Sequence, residues 1–156
     1  MASSREKLLL IVTGSSLRAE ELDRPLAYYL KHKVEQYVAA HKEELGRIAV
    51  RVVADFRWIH DEPLQRLPTI SVGGPGVNAL AHRWLEEVPV SLAVDERYYL
   101  QMDPDLDEAH ASIWGMDNPT TQIAVGVFLD RFLPQFLRRC AADSEPCDLD
   151  DLEEPE

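Results

Sequence analysis

The fold is decided by the stretch TISVGGPGVN, residues 69–78. Its first four residues, Thr69 to Val72, include three β-branched residues and predict a short strand. The glycine-rich remainder predicts a tight turn. The residues that follow, with Leu80, Trp84 and Leu85 on one face, predict a helix of about ten residues. A strand that passes through a glycine turn into a helix is typical of a parallel sheet.

Strands and helices alternate on both sides of this stretch. The earlier predicted elements are a strand at Lys7–Val12, a helix from the capping residue Asp23 to Gly46 with Pro25 in its first turn, a strand at Ile48–Phe56 and a polar loop at 57–68. The later ones are strands at 90–94, 98–102 and 111–114 and a final helix. The alternation predicts a mainly parallel sheet with helices on both faces.

The final helix has a clear start signal. Asn118 is predicted to be its N-cap, and Pro119 suits the first helical position. Pro134 is expected to kink or break the helix, because its ring removes one backbone hydrogen bond. The predicted apolar face consists of Ile123, Val127, Phe128, Phe132, Phe136 and Leu137.

One segment departs from simple alternation. Two strands, Val90–Val94 and Tyr98–Met102, are separated only by a short turn that contains Asp95 and Glu96. They predict an antiparallel hairpin at one edge of the sheet. The predicted fold class is therefore α/β, a single three-layer domain over residues 1–142 with a mainly parallel sheet and one antiparallel hairpin edge. Residues 143–156 contain eight acidic residues and no lysine or arginine, which predicts a disordered acidic tail.

The charge and the cysteine content exclude several classes of protein. The formal net charge is −12, and no basic stripe is interleaved with aromatic residues, so we do not expect nucleic acid as a partner. The apolar run Leu8–Val12 is too short for a signal peptide or a membrane span. Cys140 and Cys147 do not form a disulfide framework or a zinc motif, which favours free thiols in the cytoplasm.

The predicted ligand site lies where three loops leave their strands. The loops Thr13–Ser16, Gly73–Asn78 and Gly115–Thr121 each follow a strand, and the carboxyl ends of parallel strands share one edge of a sheet. Helix starts at this edge present unpaired N–H groups, which favour a phosphate or a carboxylate. No metal site is predicted. The predicted ligand-binding residues are Ser15, Ser16, Gly74, Gly76, Asn78, Asp95, Asp117 and Thr120.

The middle loop resembles a known fingerprint. Gly74, Gly76 and Ala79 fit the pattern G-x-G-x-x-G/A and resemble the dinucleotide-binding loop of Rossmann-like domains. Asp95 follows about twenty residues later, where those families place the carboxylate that binds the ribose hydroxyls. The resemblance implies a Rossmann-like domain with a nucleotide as its cofactor. Without any ligand, the same glycines also serve a tight turn from strand to helix.

The middle and last loops together carry a second resemblance, which covers about a third of the chain. Gly73-Gly74-Pro75 and Asn78 are followed by a strand that ends at Gly115 and by a helix start that contains Asp117, Thr120 and Thr121. This order is similar to the α/β repeats of bacterial cell-wall-binding and archaeal S-layer proteins. Those proteins are non-catalytic adhesion modules, so the resemblance implies a binding role.

The sequence leaves two hypotheses about function. For catalysis, only Ser15 or Ser16 with His60 and Asp61 offers a nucleophile, a base and an acid at neighbouring strand ends, and the Gly-x-Ser-x-Gly elbow is absent. The first hypothesis is therefore a non-catalytic binding or interaction domain, with a small anionic ligand or a second copy of the chain as its partner. The alternative is an enzyme or sensor that binds a nucleotide or another phosphorylated small molecule over Gly74–Asn78.

Overall fold

The computed structural model describes residues 7–88, 90–94, 97–102 and 109–142. The predicted acidic tail and Asp95 lie outside these ranges. In chain order the elements are β1 (Lys7–Thr13), α1 (Leu17–Ala40), α2 (Lys42–Leu45), β2 (Ile48–Ala54), α3 (Asp55–Ile59), α4 (Glu62–Gln65), β3 (Thr69–Val72), α5 (Ala79–Glu87), β4 (Val90–Val94), β5 (Tyr98–Met102), β6 (His110–Gly115), α6 (Asn118–Arg131) and α7 (Leu133–Ala142).

The six described strands form one sheet in the order β2-β1-β3-β6-β5-β4. β1 pairs in parallel with β2 and β3, and β3 pairs in parallel with β6. β5 runs against both of its neighbours, so the β4–β5 hairpin forms the antiparallel edge that the sequence predicts. The domain is thus a single α/β domain of the Rossmann-like class, as predicted.

Both faces of the sheet are covered, because side chains of a strand alternate between its faces. On β1, Leu9 and Ile11 belong to one apolar core, which is covered by α1, α6 and α7. Leu8, Leu10 and Val12 belong to the other core, which α3, α4 and α5 cover. The predicted three layers are therefore present.

The directions in which the helices leave the sheet create a gap. α1 follows β1 and α6 follows β6 onto the same face, whereas α5 follows β3 onto the opposite face. Since β3 lies between β1 and β6, the end of β3 has no helix of its own on the face of α1 and α6. A crevice is expected at such a point, where neighbouring connections diverge.

The long first helix begins earlier than predicted. α1 starts at Leu17, so the prediction that Asp23 caps it is wrong, and Pro25 lies inside the helix. The helix tolerates Pro25 because Pro25 and Glu21 are both exposed, which lets water satisfy the Glu21 carbonyl that loses its partner. The helical segment does end at Gly46, whose φ of 71° suits a residue without a side chain.

The segment after β2 also differs from the prediction. The strand ends at Ala54 rather than Phe56, because α3 begins at Asp55 and extends into the predicted loop 57–68, which also contains α4. Trp58 and Leu64 face the second core, and the Trp58 indole N–H donates to Thr69 Oγ1 at 3.1 Å. Burial of these two side chains stabilises helical turns that local propensity does not favour.

The break in the final helix is confirmed. α6 ends at Arg131 and α7 begins at Leu133, directly before Pro134. Phe128, Phe136 and Leu137 are buried as predicted, but Ile123 is 50% exposed. The buried residues of α6 are instead Thr120, Thr121, Ala124, Val125 and Phe128. Apolar residues occur on several sides of this helix, so the sequence pattern does not show which side is buried.

Replacing Gly126 with alanine should stabilise the domain. Gly126 lies inside α6, and a Cβ built there meets nothing within 4 Å. Alanine lowers the conformational entropy of the unfolded chain, so we expect Gly126→Ala to raise the free energy of unfolding by about 0.5–1 kcal/mol in urea titrations. Gly46→Ala, at a positive φ, should lower it. A lower urea midpoint for Gly126→Ala would contradict the helical packing described.

Candidate functional site

The three predicted loops meet at one edge of the sheet. β1, β3 and β6 are neighbours and run in the same direction, with Leu10 opposite Thr69 and Ile70 opposite Ala111. Their carboxyl ends therefore present residues 14–16, 73–78 and 116–117 side by side. Two of these loops line a cleft, and the third takes part in a hydrogen-bond network beside it.

Asp55 is the centre of that network. It is the first residue of α3 and only 5% exposed. The Ser15 hydroxyl and the Phe56 N–H donate to Oδ1, the latter at 2.7 Å, and the Ala79 N–H donates to Oδ2 at 2.8 Å. A carboxylate of the protein itself thus lies at the N-terminus of α5, where a bound anion would otherwise be favoured.

The Asn78 side chain accepts hydrogen bonds from two further N–H groups at the start of α5. Its side-chain oxygen accepts from the N–H groups of Leu80 at 2.9 Å and Ala81 at 3.2 Å. Its side-chain nitrogen donates to Ser71 Oγ and to the Val72 carbonyl, both at 3.0 Å, and approaches the Val12 carbonyl at 3.4 Å. Asn78 therefore caps α5 and links it to β1 and β3.

The first turn of α5 consequently has no amide left for a ligand. The N–H groups of Ala79, Leu80 and Ala81 are all bonded to Asp55 or Asn78. The loop is closed by bonds from the Val77 and Asn78 N–H groups to the Gly74 carbonyl, at 3.1 and 3.0 Å. The glycine pattern here serves a turn that is satisfied within the protein.

The start of α6 is a capping box. Its N-cap is Asp117, one residue before the predicted Asn118, because the Asp117 carboxylate reaches the Thr120 N–H at 2.9 Å while the Thr120 hydroxyl accepts from the Asp117 N–H at 3.1 Å. The helix turns so closely over Gly115 that a Cβ there would lie 2.2 Å from Thr120 Oγ1. Position 115 therefore requires glycine.

The Asp117 carboxyl is held in its charged form. The hydrogen bond from the Thr120 backbone lowers its pKa most, followed by the bond from the Thr120 hydroxyl, and the Arg97 guanidinium adds a smaller effect in the same direction. Asp117 itself is exposed. At neutral pH the β6–α6 loop thus presents a negative charge.

A cleft of about 260 Å³ lies above the carboxyl end of β3. We call it the strand-end cleft. Its walls are the β3–α5 loop, the β6–α6 loop and one turn of α1. It is lined by Leu22, Asp23, Gly74, Pro75, Gly76, Val77, Trp114, Gly115, Met116, Asp117, Asn118 and Thr121.

Trp114 forms a rigid wall of the cleft. Its ring stacks on Tyr99 with centroids 4.4 Å apart, and its indole N–H donates to Gln101 Oε1 at 2.9 Å. The buried Gln101 in turn donates to carbonyls at the end of α5, the shortest bond being 2.8 Å to Val88. These contacts fix the indole before any ligand arrives, which lowers the entropic cost of binding.

Asp23 lies beneath the cleft. It is 7% exposed, and its Oδ1 accepts from the Asn118 side-chain amide at 3.2 Å. Gly73 has φ 109°, and a Cβ there would lie 2.8 Å from Asp23 Oδ2. The β3–α5 loop can therefore cross over Asp23 only because residue 73 has no side chain.

The structure separates the predicted site residues into groups. Gly74, Gly76 and Asp117 line the strand-end cleft. Asn78 and Thr120 are buried caps behind it, and Ser15 is bonded to Asp55. Ser16, exposed just before α1, is not among the lining residues, and Asp95 lies outside the described residues.

Sequence reasoning missed the two buried carboxylates. Asp55 lies inside the predicted strand Ile48–Phe56, because it directly follows a run of β-branched residues. Asp23 resembles a helix cap, because it stands two residues before Pro25. A carboxylate at the end of a parallel strand is itself a signal for the ligand edge, and it could have identified Asp55. Trp114, the last residue of the predicted strand 111–114, lines the cleft and is held there by its contacts with Tyr99 and Gln101.

The fold and this edge define the chain as a three-layer α/β domain of the Rossmann-like class with a cleft at the carboxyl ends of its parallel strands. Comparison with known protein families and with curated proteins finds no match. Both sequence resemblances therefore stay predictions. Among the described residues, no three histidine, cysteine or acidic side chains are grouped as a metal would require, and no described helix is long and apolar enough to cross a membrane.

Asn78→Asp should destabilise the domain strongly although aspartate is an equally good N-cap. The variant keeps the bonds to the α5 amides but loses the donated ones, and it places a carboxylate against three buried oxygen acceptors. We expect a loss of about 3 kcal/mol in the free energy of unfolding, measured in urea. A loss below about 1 kcal/mol would show that the buried bonds of Asn78 contribute little.

Asp117→Asn should change the acid stability of the domain. Because folding lowers the pKa of Asp117, its charged form stabilises the fold above the ordinary value of 3.8, and this contribution is lost as the pH falls through the lower, folded value. The stability difference between the wild type and the variant should therefore be constant near neutral pH and shrink below pH 3.8. Thermal melts from neutral to acid pH measure it, and a gap that widens in acid would contradict the assignment.

Proposed function

We propose that this protein is a non-catalytic binding domain whose ligand occupies the strand-end cleft. The observation that carries the proposal is the cleft itself, which lies at the carboxyl edge of a parallel sheet and has a rigid aromatic wall. Ligands of open α/β sheets bind at this edge, in crevices where the connections diverge. A concave site with apolar walls and few polar groups is the usual form of a small-molecule site.

The hydrogen bonds of the polar side chains at this edge favour a binding protein over an enzyme. The Ser15 hydroxyl donates to Asp55, which already accepts two backbone N–H groups. The Thr121 hydroxyl donates to the Asp117 carbonyl at 2.9 Å. Of the predicted catalytic combination, Asp61 accepts from the Leu64 N–H as the N-cap of α4. Ser15 also lies outside the lining residues of the cleft, so its hydroxyl has no substrate site beside it there.

A nucleotide or another phosphorylated ligand over Gly74–Asn78 is the alternative. Such a ligand needs free amides at the start of α5, and those amides are bonded to Asp55 and Asn78. Its phosphate would also approach carboxylates of the same sign. These contacts support a ligand that is not a phosphate ester. For the same reason we favour such a ligand over a nucleotide cofactor.

The partner and the compartment follow from the same features. A cavity of about 260 Å³ accommodates a small molecule more readily than a second copy of the chain, so we propose a small ligand rather than a homodimer. The chain has two cysteines in 156 residues, Cys140 and Cys147, which is too few for the disulfide framework of a secreted domain. This supports a reducing compartment such as the cytoplasm.

A fragment screen by NMR tests the proposal. We expect fragments that bind the wild type to shift the Trp114 indole N–H and the backbone amides of Gly74, Gly76 and Met116. Gly74→Val should abolish these shifts, because its side chain projects between the two loops: a Cβ there lies 3.5 Å from the Gly115 carbonyl and 3.9 Å from Trp114 Cε3. Gly74→Ala, whose single added carbon makes ordinary contacts, should weaken them.

The control is Gly126→Ala, a glycine replacement on α6 outside the lining residues, which should leave every fragment's shifts unchanged. Fragments that bind Gly74→Val as well as they bind the wild type would place their site elsewhere. A broad library that shifts no cleft amide would remove the proposal.

A further inference from the structure

We infer that the strand-end cleft selects a small organic cation: a protonated amine, a guanidinium or a quaternary ammonium group joined to a flat or apolar body. The inference rests on the proposed function, and it names the chemical class of the ligand. Four features of the cleft support it: the charges that line it, the bonded helix starts, the aromatic wall and the size.

Two acidic side chains line the cleft. Asp23 and Asp117 carry carboxylates, and among the residues that the structure describes neither lysine nor arginine lines the cleft. Asp23 is buried beside Gly73 and accepts from the Asn118 side-chain amide at 3.2 Å, whereas Asp117 is exposed. The cation that reaches Asp117 is Arg97, whose side chain is exposed and does not line the cleft.

The positive helix ends that would attract an anion are already compensated. At the start of α6 the Asp117 carboxylate accepts the Thr120 N–H, and residue 119 is a proline without an N–H. At the start of α5 the same role belongs to Asp55. The protein thus provides its own anion at both helix starts beside the cleft, and a second anion would find repulsion where a cation finds attraction.

The walls suit the body of such a ligand. Trp114 lines the cleft and is held in place by Tyr99 and Gln101, and an aromatic wall suits both a flat body and a cation. Pro75, Val77 and the 70% exposed Met116 add apolar surface. With about 260 Å³ the cleft is below the usual range for drug-sized ligands, so the ligand is a small one.

Three probes with one phenyl ring and different charges test the inference on the intact chain. Benzylammonium is the cation, benzyl alcohol is its neutral counterpart and phenyl phosphate is the anion. We expect benzylammonium to shift the Trp114 indole N–H and the Gly74 and Met116 amides with a dissociation constant about fivefold or more below that of benzyl alcohol. Phenyl phosphate should not saturate these signals. Raising the salt concentration should weaken only benzylammonium.

Removal of one charge gives the matched variant. Asp117→Asn keeps an N-cap side chain and should weaken benzylammonium about fivefold while leaving benzyl alcohol unchanged. Asp130→Asn, the same substitution at the exposed far end of α6, should change neither. A further variant, Asp23→Asn, removes the second carboxylate of the cleft. For each variant, a dispersed amide spectrum confirms that the domain is folded.

The other possible results distinguish the proposal that the cleft binds a ligand from the inference that this ligand is a cation. Equal affinities for benzylammonium and benzyl alcohol at the cleft would overturn the choice of a cation and leave the binding site intact. Saturation by phenyl phosphate alone would overturn it in favour of an anion. If none of the three probes shifts the cleft amides, the inference fails, and the fragment screen then decides separately whether the cleft binds at all.

Discussion

The sheet of this protein is held together by four residues. β3, Thr69–Val72, is buried throughout and pairs on one side with β1 and on the other with β6. Without it the β2–β1 pair and the β6–β5–β4 unit would have no hydrogen bonds to each other. Its neighbours send their helices to one face, and β3 sends α5 to the other. The position of the cleft is a consequence of that one crossing.

The turn that follows β3 has two requirements that determine the chemistry of this edge. The chain must cross over Asp23, which only a residue without a side chain allows at position 73. The helix that begins after it must satisfy its first amides in a buried place, which Asn78 and Asp55 accomplish. The first requirement is met by glycine, and the second by one acidic and one amide side chain of the protein. The β3–α5 loop therefore has glycines in its sequence, while the side chains that satisfy the start of α5 are an acid and an amide.

The predictions succeeded where the pattern is local and failed where partners come from far along the chain. Strand β3, the hairpin of β4 and β5 and the break before Pro134 follow from residues within a few positions of one another. The start of α1 was misplaced because Asp23 and Pro25 imitate a helix start, whereas the burial of Asp23 beside Gly73 depends on a loop fifty residues away. The three convergent loops were predicted correctly, but the sequence could not distinguish side chains that face the cleft from those that cap the helices behind it.

The sequence by itself determined the class of fold, because hydrophobic periodicity, glycines and prolines act through neighbouring residues. It also determined that Gly74, Gly76 and Asp117 lie at the carboxyl edge of the sheet, since parallel strands end together. Only the tertiary structure decided the electrostatic character of that edge. Asp23, Asp55 and Arg97 are distant in sequence from the loops they act on, and hydrogen bonds and charges depend on distance in space rather than on position in the chain.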